Sequence, residues 1–208
     1  YSEKSELGGN DPYSSSKASA ELITSSYIKS FFNSSKLKNR ISTVRSGNVI
    51  GGGDFSKDRL VPDIIKSLGK NNKLIIRNPK YVRPWQHVIE PLFGYILLAE
   101  RQYLKKIKSK DHSWNFGPRN QSFVRVIDIV NIFKKNAKIK LIKIKKGKIK
   151  ETEILKLNSK KARSKLNWKP KWDINTTVDK MIEWNNNSKN KNKIFKICEK
   201  QIYDYLNS

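Results

Sequence analysis

The stretch DPYSSSKASAEL, residues Asp11–Leu22, decides how the fold is interpreted, because it carries a tyrosine and a lysine four residues apart. Aspartate is a favourable N-cap, and proline is tolerated in the first turn of a helix. We therefore expect a long helix that begins at Asp11–Pro12 and runs to about Asn33. Residues four apart lie on one face of a helix, so Tyr13 and Lys17 are predicted neighbours.

A tyrosine beside a lysine can form an acid–base couple. A phenol is a poor base at neutral pH, but a cation a few ångströms away stabilises the phenolate. Tyr13 could then accept a proton from an alcohol while a hydride leaves the same carbon for a nicotinamide. Lys17 would supply the charge and could hold ribose hydroxyls. Taken alone, the spacing fits an ordinary helical contact equally well, and the three intervening serines fit an ordinary first turn.

Helix and strand signals alternate over roughly the first 135 residues, which indicates the α/β class. Strands are predicted at Arg40–Asp54, Lys73–Asn78, Tyr81–Val88, Ser113–Gly117, Lys134–Lys150 and Glu153–Leu157. Helices are predicted at Arg59–Lys70, Ile89–Lys106, Val124–Lys135, Lys160–Leu166, Asn175–Asn185 and, after a polar linker at Asn185–Lys193, up to Leu206. The chain has no G-x-G-x-x-G motif, and the glycines of Gly51–Gly53 have a different spacing.

The composition describes a folded protein with a strong positive charge. The chain has 208 residues, 37% of them hydrophobic, and a formal net charge of +26. No apolar run approaches the length of about 20 residues that crosses a bilayer. Most basic residues are lysines, and the densest run, Lys134–Lys150, alternates lysine with isoleucine or leucine, as on a half-buried strand. No nucleic-acid-binding motif is present, so we expect neither nucleic acid nor a membrane as partner. A single cysteine, Cys198, indicates a reducing, cytoplasmic setting.

Five ordered segments carry a family resemblance: DPYSSSKASAELITSSY, VRSGNVIGGGDFSKDRLVPDII, IIRNPKYVRPWQHVIEPLFGYILLAE, WNFGP and LKLNSKKARSKLNWKPKWDINTTV. Together they resemble the extended short-chain dehydrogenase/reductase (NAD-dependent epimerase/dehydratase) family from Leu7 to Trp184. The motif RPWQHV resembles the branch that dehydrates CDP-glucose and differs from relatives with Arg-Asp-Trp or Arg-Asp-Tyr. The resemblance fades at Lys134–Lys150 and after Asn187.

The resemblance implies the C-terminal part of a Rossmann-type fold plus a small α/β substrate-binding region. Residues 1–54 would end the NAD-binding domain, residues 55–187 would mainly bind the nucleotide sugar, and residues 188–208 would form a Lys-rich tail helix. In this family the glycine-rich loop and the acid and base of the elimination step precede the tyrosine. We therefore expect them upstream of Tyr1, in a longer enzyme that forms a homodimer or homotetramer, and we expect this chain to be inactive by itself.

The implied reaction converts CDP-glucose into CDP-4-keto-6-deoxyglucose, with NAD used and regenerated, for deoxysugar and surface polysaccharide (lipopolysaccharide, O-antigen) synthesis. Tyr13 would be the base for oxidation at C4, Lys17 its partner and ribose ligand, and Ser46 a further cofactor contact. The implied substrate contacts are Asn48, Arg59, Val61, Pro62, Arg83 and Asn115. Of these, Arg59, Val61 and Pro62 would line the cytidine pocket, and Arg83 would bind the diphosphate because its planar fork matches phosphate oxygens.

Several residues have simpler interpretations. Asn48 could cap the glycine turn, and Arg83 could be a surface arginine. His87 fits a hydrogen-bonded packing residue better than a catalytic one, His112 carries no signal, and Cys198 is expected to be a buried apolar contact. No Cys/His cluster or carboxylate array predicts a metal.

Two alternatives to the dehydratase hypothesis remain open at the sequence level. One is another nucleotide-sugar epimerase or 4,6-dehydratase of the same family. The other, from a different class, is a basic module that binds nucleic acid or a membrane surface, as the net charge of +26 suggests.

Overall fold

The protein is described by a computed structural model. It describes residues 1–32, 41–68, 73–107, 112–137, 139, 141–145, 152–188 and 190–208. The helices are α1 (Pro12–Tyr27), α2 (Leu60–Ser67), α3 (Ile89–Tyr103), α4 (Val126–Asn136), α5 (Lys160–Leu166), α6 (Ile174–Asn187) and α7 (Lys191–Leu206). The strands are β1 (Thr43–Ser46), β2 (Asn48–Ile50), β3 (Lys73–Arg77), β4 (Val82–His87), β5 (Ser113–Phe116), β6 (Phe123–Arg125) and β7 (Leu141–Lys145).

The chain forms two compact units, and the first comprises residues 1–46, 92–116 and 157–169. In it β1 pairs in parallel with β5, from Thr43 opposite Ser113 to Ser46 opposite Phe116. A buried cluster lies on this pair, and its members are Leu98, Ile107, Trp114, Phe116, Ala162, Leu166 and Trp168. The ring of Phe116 meets that of Trp168 edge-on, with centroids 5.1 Å apart.

The second unit comprises residues 47–91, 117–156 and 170–208. Strand β4 pairs in parallel with β2 and antiparallel with β6, and β3 pairs in parallel with β7. Its core draws on α2, α4, α6 and these strands, and includes Ile64, Leu74, Ile76, Trp85, Ile129, Phe133, Val178 and Met181. Burial of these apolar side chains is the main stabilising contribution to this unit.

Four boundaries differ from the sequence prediction. Helix α1 ends at Tyr27, and a π-helical turn, Ile28–Phe32, follows it. The predicted strand Arg40–Asp54 is two short strands separated by Gly47, where a Cβ atom would overlap Pro84. The predicted strand Glu153–Leu157 reduces to one bridge between Ile154 and Val82. Helix α4 begins later than predicted because residues 123–125 pair with β4 as strand β6.

The remaining differences lie towards the C-terminus. Most of the predicted linker, residues 185–193, is helical, since α6 reaches Asn187 and α7 begins at Lys191. Cys198 is exposed on α7, so its predicted burial is wrong; the neighbouring Ile197 takes the buried position instead. Of the predicted strand at 134–150, the described part is β7, preceded by the end of α4; residues 138, 140 and 146–150 lie outside the described residues. None of the helices in the described ranges is both long and apolar enough to cross a membrane.

Candidate active-site residues

The helix that carries Tyr13 and Lys17 starts as the sequence predicts. The Asp11 carboxylate accepts hydrogen bonds from the backbone N–H groups of Tyr13 and Ser14, both at 3.0 Å, with Pro12 in the first turn. Tyr13 is 70% exposed. The ammonium of Lys17 lies 5.5 Å from the centroid of the Tyr13 ring, within the range of a cation–π contact. The two side chains are therefore neighbours at the surface of α1.

Three serines around this pair hydrogen-bond within the helix or to its N-cap residue, while Ser15 donates to the carbonyl of Gly9 before the helix. Ser14 donates to the Asp11 carboxylate at 2.6 Å, and Ser16 donates to the carbonyl of Tyr13 at 2.7 Å. Ser19 donates to the carbonyl of Ser15 at 3.0 Å. These short side chains satisfy backbone groups of the helix and add little bulk beside Tyr13.

An ion pair fastens α1 to the strands of its unit. Glu21 accepts a 2.7 Å hydrogen bond from Arg45 on β1 and another from Thr43, and a longer one from Ser113 on β5. Burial by itself would raise the pKa of the Glu21 carboxyl. The hydrogen bonds outweigh that effect, so the pKa is lowered. The helix face that bears Tyr13 is thereby held relative to β1 and β5.

The two other predicted residues of the first unit lie on its paired strands. Ser46 ends β1 opposite Phe116. Asn115 is fully buried on β5, where its backbone N–H donates to Glu3 and its side-chain amide donates to the carbonyl of Asn158. Its side-chain oxygen has no hydrogen-bond partner among the residues that the structure describes. A buried acceptor of this kind ordinarily has a donor, so Asn115 retains capacity for a polar contact.

The second unit contains a small pocket, with a cavity volume of about 20 Å³, between its glycine-rich loop and two helices. The loop contributes residues 50–55, α2 contributes Val61, Pro62 and Ile65, and α6 contributes Met181, Trp184 and Asn185. Two of the predicted substrate contacts, Val61 and Pro62, thus lie together in one pocket.

Trp184 forms a wall of this pocket against the glycines. A Cβ atom on Gly52 would overlap the indole ring, and one on Gly53 would touch it at 3.7 Å. Gly53 also has φ = +82°, a conformation that favours glycine. The lack of side chains at Gly52 and Gly53 therefore allows the loop backbone to lie directly on the Trp184 ring.

The other predicted substrate contacts do not line this pocket. Asn48 lies on β2 opposite Trp85, and Arg59 is an exposed N-cap residue of α2 whose side chain makes no capping hydrogen bond. Arg83 donates to the carbonyls of Thr152 at 2.8 Å and Glu153 at 3.3 Å. Its guanidinium also lies 5.2 Å from the centroid of the Tyr81 ring. Arg83 thus uses some of its hydrogen bonds to fix the backbone of residues 152–153.

His87 is a packing residue in the geometry observed. Only 4% of it is exposed, and its Nδ1 atom accepts a hydrogen bond from the backbone N–H of Ile89. The ring meets Trp172 edge-on at 5.0 Å, and Nε2 has no partner within the described ranges. Burial, with a smaller effect from the charge of Lys180, lowers the pKa of His87 to about 4. The imidazole is therefore neutral near pH 7.

This burial predicts acid sensitivity. Because the pKa of His87 is about 4 in the folded chain and 6.5 ordinarily, the unfolded chain binds the extra proton between these values. The free energy of unfolding should fall by about 3 kcal/mol from this group as the pH drops from above 6.5 to below 4. Chemical denaturation at several pH values should show this loss reduced in His87→Gln and retained in His112→Gln. Equal losses in the two variants would contradict the prediction.

A second buried carboxylate, Glu90 in the first turn of α3, is fully enclosed. It accepts hydrogen bonds from the backbone N–H groups of Lys171 at 2.8 Å and Trp172 at 2.6 Å, and from the Tyr205 hydroxyl at 2.7 Å. Burial raises the pKa of Glu90, although these hydrogen bonds favour its charged form. Burial and the neighbouring carboxylate also raise the pKa of Tyr205, which therefore stays a donor. Glu90 connects the start of α3 with the segment before α6 and the end of α7.

Sequence reasoning missed Glu90, Glu21 and the contribution of α6 to the pocket. Glu90 stands between apolar residues in IEPLF, and a charged residue at the start of an apolar helix is a weak signal of burial. In the sequence, Glu21 looks like any charged residue on the surface of a helix. Trp184 and Asn185 follow the loop by more than a hundred positions in the chain, and no local pattern predicts that they meet it.

The parallel strand pairs and the helices between them define an α/β protein of the Rossmann type. Solved structures agree on this fold. A dTDP-glucose 4,6-dehydratase from Bacillus anthracis in complex with NAD matches 88% of this chain and 55% of its own, at 21% identity and a TM-score of 0.73. A UDP-glucose-4-epimerase from Stenotrophomonas maltophila with bound NAD matches 89% of this chain and 58% of its own, at 15% identity and a TM-score of 0.75. The predicted fold class is confirmed.

The chain belongs to the GDP-mannose 4,6 dehydratase family, whose sequence model matches residues 1–181. A curated relative, the CDP-glucose 4,6-dehydratase of Salmonella typhimurium (strain LT2), is 40% identical over 216 residues that include all of this chain. The chain spans 59% of the length of that relative. The family resemblance seen in the sequence is thereby confirmed.

Proposed function

We propose that this chain is part of an NAD-dependent CDP-glucose 4,6-dehydratase, a carbon–oxygen lyase. The observation that carries the proposal is the 40% identity to the Salmonella typhimurium enzyme along the whole chain. Two structural features support it: the adjacent Tyr13 and Lys17 on α1, and the pocket lined by Val61 and Pro62. The other family members supply alternatives within the same class, an epimerase or a dehydratase of another nucleotide sugar.

The exposed Tyr13–Lys17 pair suits a nicotinamide cofactor. The ring of Tyr13 is accessible and Lys17 presents a cation beside it, the donor set that a ribose diol and a reacting alcohol require. Bound NAD supplies a hydride acceptor at sugar C4 and a hydride donor at C6. Tyr13 and Lys17 would hold the ribose side of the cofactor, and Ser46 is proposed as a further contact.

Tyr13 takes the proton of the C4 hydroxyl as the hydride leaves C4, and Lys17 stabilises the phenolate that accepts this proton. The resulting 4-keto group acidifies C5, a proton leaves C5 with hydroxide from C6 as water, and C6 receives the hydride while C5 is reprotonated. The products are CDP-4-keto-6-deoxyglucose and water. We assign no residue of this chain to the acid and base of the elimination.

The nucleotide part of the substrate is proposed to bind in the second unit. Val61 and Pro62 contact the cytidine, with Arg59 at the entrance of the same helix. Arg83 and Asn48 are proposed to contact the diphosphate, since the planar guanidinium of Arg83 matches the geometry of phosphate oxygens. Asn115, whose side-chain oxygen has no hydrogen-bond partner among the described residues, is proposed as a polar contact to the sugar.

Incubation of the longer protein that contains this chain with NAD and CDP-glucose, followed by mass spectrometry, tests this function. The expected product is lighter than CDP-glucose by one water molecule, and dTDP-glucose and UDP-glucose should give far less of it. An isomer of unchanged mass would indicate an epimerase instead. Loss of water from dTDP-glucose alone would indicate a dehydratase of another nucleotide sugar.

Three finer points belong to the same proposal. The enzyme is proposed to act in the cytoplasm, as the single exposed cysteine suits a reducing compartment. Its product is proposed to feed the synthesis of deoxysugars for lipopolysaccharide and O-antigen. The assembled protein is proposed to be a homo-oligomer, a dimer or tetramer, which light scattering after size-exclusion chromatography would test.

A further inference from the structure

The side of α1 that carries the Tyr13–Lys17 pair continues to a carboxylate. Tyr13, Lys17 and Glu21 follow one another at intervals of four residues, so their side chains lie along one side of the helix. A lysine and a glutamate at this spacing attract each other on a helix surface. In the structure, however, the Lys17 ammonium lies 5.5 Å from the centroid of the Tyr13 ring and forms no ion pair with any residue that the structure describes.

Glu21 is bound instead to the two strands of its unit. Its Oε1 atom accepts a 2.7 Å hydrogen bond from Nε of Arg45. Its Oε2 atom accepts hydrogen bonds from the hydroxyls of Thr43 at 2.7 Å and Ser113 at 3.3 Å. The side chain of Glu21 is only 13% exposed. Both oxygen atoms of the carboxylate are thus engaged by β1 and β5, and Lys17 is left to Tyr13.

Arg45 is the cation that balances this carboxylate. The hydrogen bond to Glu21 raises the pKa of Arg45 against the effect of burial, and the charges of Glu21 and Glu3 add to the rise. Glu3 lies against β5, where its carboxylate accepts a backbone N–H at 3.0 Å. A further cation of this unit, Lys161 on α5, donates to the carbonyl of Ser113 at 2.6 Å. The guanidinium of Arg45 is therefore the charge in direct contact with Glu21.

We propose that Arg45 is a positioning residue for the reaction: by binding Glu21 it keeps that carboxylate from pairing with Lys17, so that the ammonium stays beside Tyr13. The inference rests on the proposed function and deepens it, because it names a residue that acts on the proton-accepting pair through Glu21. Without the guanidinium, Glu21 would be a partly buried carboxylate bound to two hydroxyl groups and no cation, with Lys17 one helical turn away.

Arg45→Met should therefore divide Lys17 between Glu21 and Tyr13. Ion pairs near a protein surface change an equilibrium by roughly 2-fold to 5-fold. The kcat of the longer protein that contains this chain should fall by about the same factor, because Tyr13 accepts the proton efficiently only with Lys17 beside it. The KM for CDP-glucose should stay the same. The double variant Arg45→Met/Glu21→Gln should regain most of the lost kcat, since a neutral amide does not attract the ammonium.

Acetylation of Lys17 gives a second readout that does not depend on the reaction. Limited acetylation of the longer protein, quantified at Lys17 by peptide mass spectrometry, measures how readily its amine reacts. An amine that is bound to a carboxylate keeps its proton and reacts more slowly. Acetylation of Lys17 should slow by about 2-fold to 5-fold in Arg45→Met and recover in the double variant with Glu21→Gln.

Two further variants separate this effect from a loss of folding. Arg125→Met removes the same guanidinium from an exposed ion pair with Asp128 in the second unit, and it should change neither kcat nor the acetylation of Lys17. Thr43→Val keeps Arg45 but removes one hydroxyl donor from Glu21. It should slow acetylation of Lys17 by about 2-fold, and it tests the proposal even where Arg45→Met does not fold.

The outcomes separate this inference from the proposed function. Slower turnover and slower acetylation of Lys17 in Arg45→Met, both reversed by Glu21→Gln, would support it. Unchanged acetylation or an unchanged kcat in Arg45→Met would overturn it, and so would a double variant no faster than Arg45→Met, because Arg45 would then act only on the fold of β1. Acetylation that responds as expected, in a protein that does not dehydrate CDP-glucose, would overturn the proposed reaction and leave the effect of Arg45 on Lys17 supported.

Discussion

Replacement of Tyr13 by phenylalanine is expected to lower the turnover of CDP-glucose by about 10²-fold to 10⁴-fold, the range that positioned proton transfer contributes. The substitution removes one oxygen atom from a side chain that is 70% exposed, so neither packing nor the Asp11 cap of α1 should change. The loss should appear in kcat, and the melting temperature should stay the same.

Tyr27→Phe provides the matched control for this prediction. Tyr27 lies on the same helix, is 57% exposed and contacts Phe31 with the rings tilted and their centroids 5.3 Å apart. The same oxygen is removed, but at a residue with no proposed role in chemistry. Steady-state kinetics of the two variants should differ by at least about 10²-fold. Similar kcat values in both would remove Tyr13 from the mechanism.

Replacement of Glu90 by alanine is the second change with a large expected effect, and it acts on stability. The buried N–H groups of Lys171 and Trp172 and the Tyr205 hydroxyl would lose their common acceptor. Each unsatisfied buried group costs about 1–3 kcal/mol, and the truncation also leaves a cavity. We expect the free energy of unfolding to fall by about 3–5 kcal/mol, which is a large share of the stability of a typical domain.

Urea denaturation of matched variants would measure this loss. Glu100→Ala is the control on the same helix: Glu100 is exposed, and surface substitutions of this kind usually change stability by less than about 0.5 kcal/mol. Glu90→Gln keeps one acceptor oxygen and should fall between the two. A loss of less than about 1 kcal/mol in Glu90→Ala would show that Glu90 does not organise these segments.

Local patterns predicted the elements whose causes are local. The cap at Asp11, the neighbours Tyr13 and Lys17, helix α5 at Lys160–Leu166 and strand β5 follow from capping and periodicity, which involve residues close in the chain. Strand β6 was missed because its three residues become a strand only by pairing with β4. Propensity carries no information about that partner.

The residues of the candidate site also fall into two groups, those that the sequence predicted and those that it did not. The family resemblance implied Val61 and Pro62, which adjoin each other in the chain and do lie in one pocket. Glu90 could not be predicted, because its donors lie 81, 82 and 115 residues further along the chain. The packing that brings such distant segments together is decided by the tertiary structure of the unit.

Trp184 gives the second unit an optical probe of its own. The other four tryptophans, Trp85, Trp114, Trp168 and Trp172, are each at most 5% exposed, so their surroundings stay constant when a ligand arrives. Trp184 is half-buried against the glycine-rich loop, so a nucleotide that binds beside this loop would change the packing around its indole. Its fluorescence should therefore shift in wavelength or intensity on nucleotide addition. Occupancy can then be followed in real time without attaching a dye to the protein.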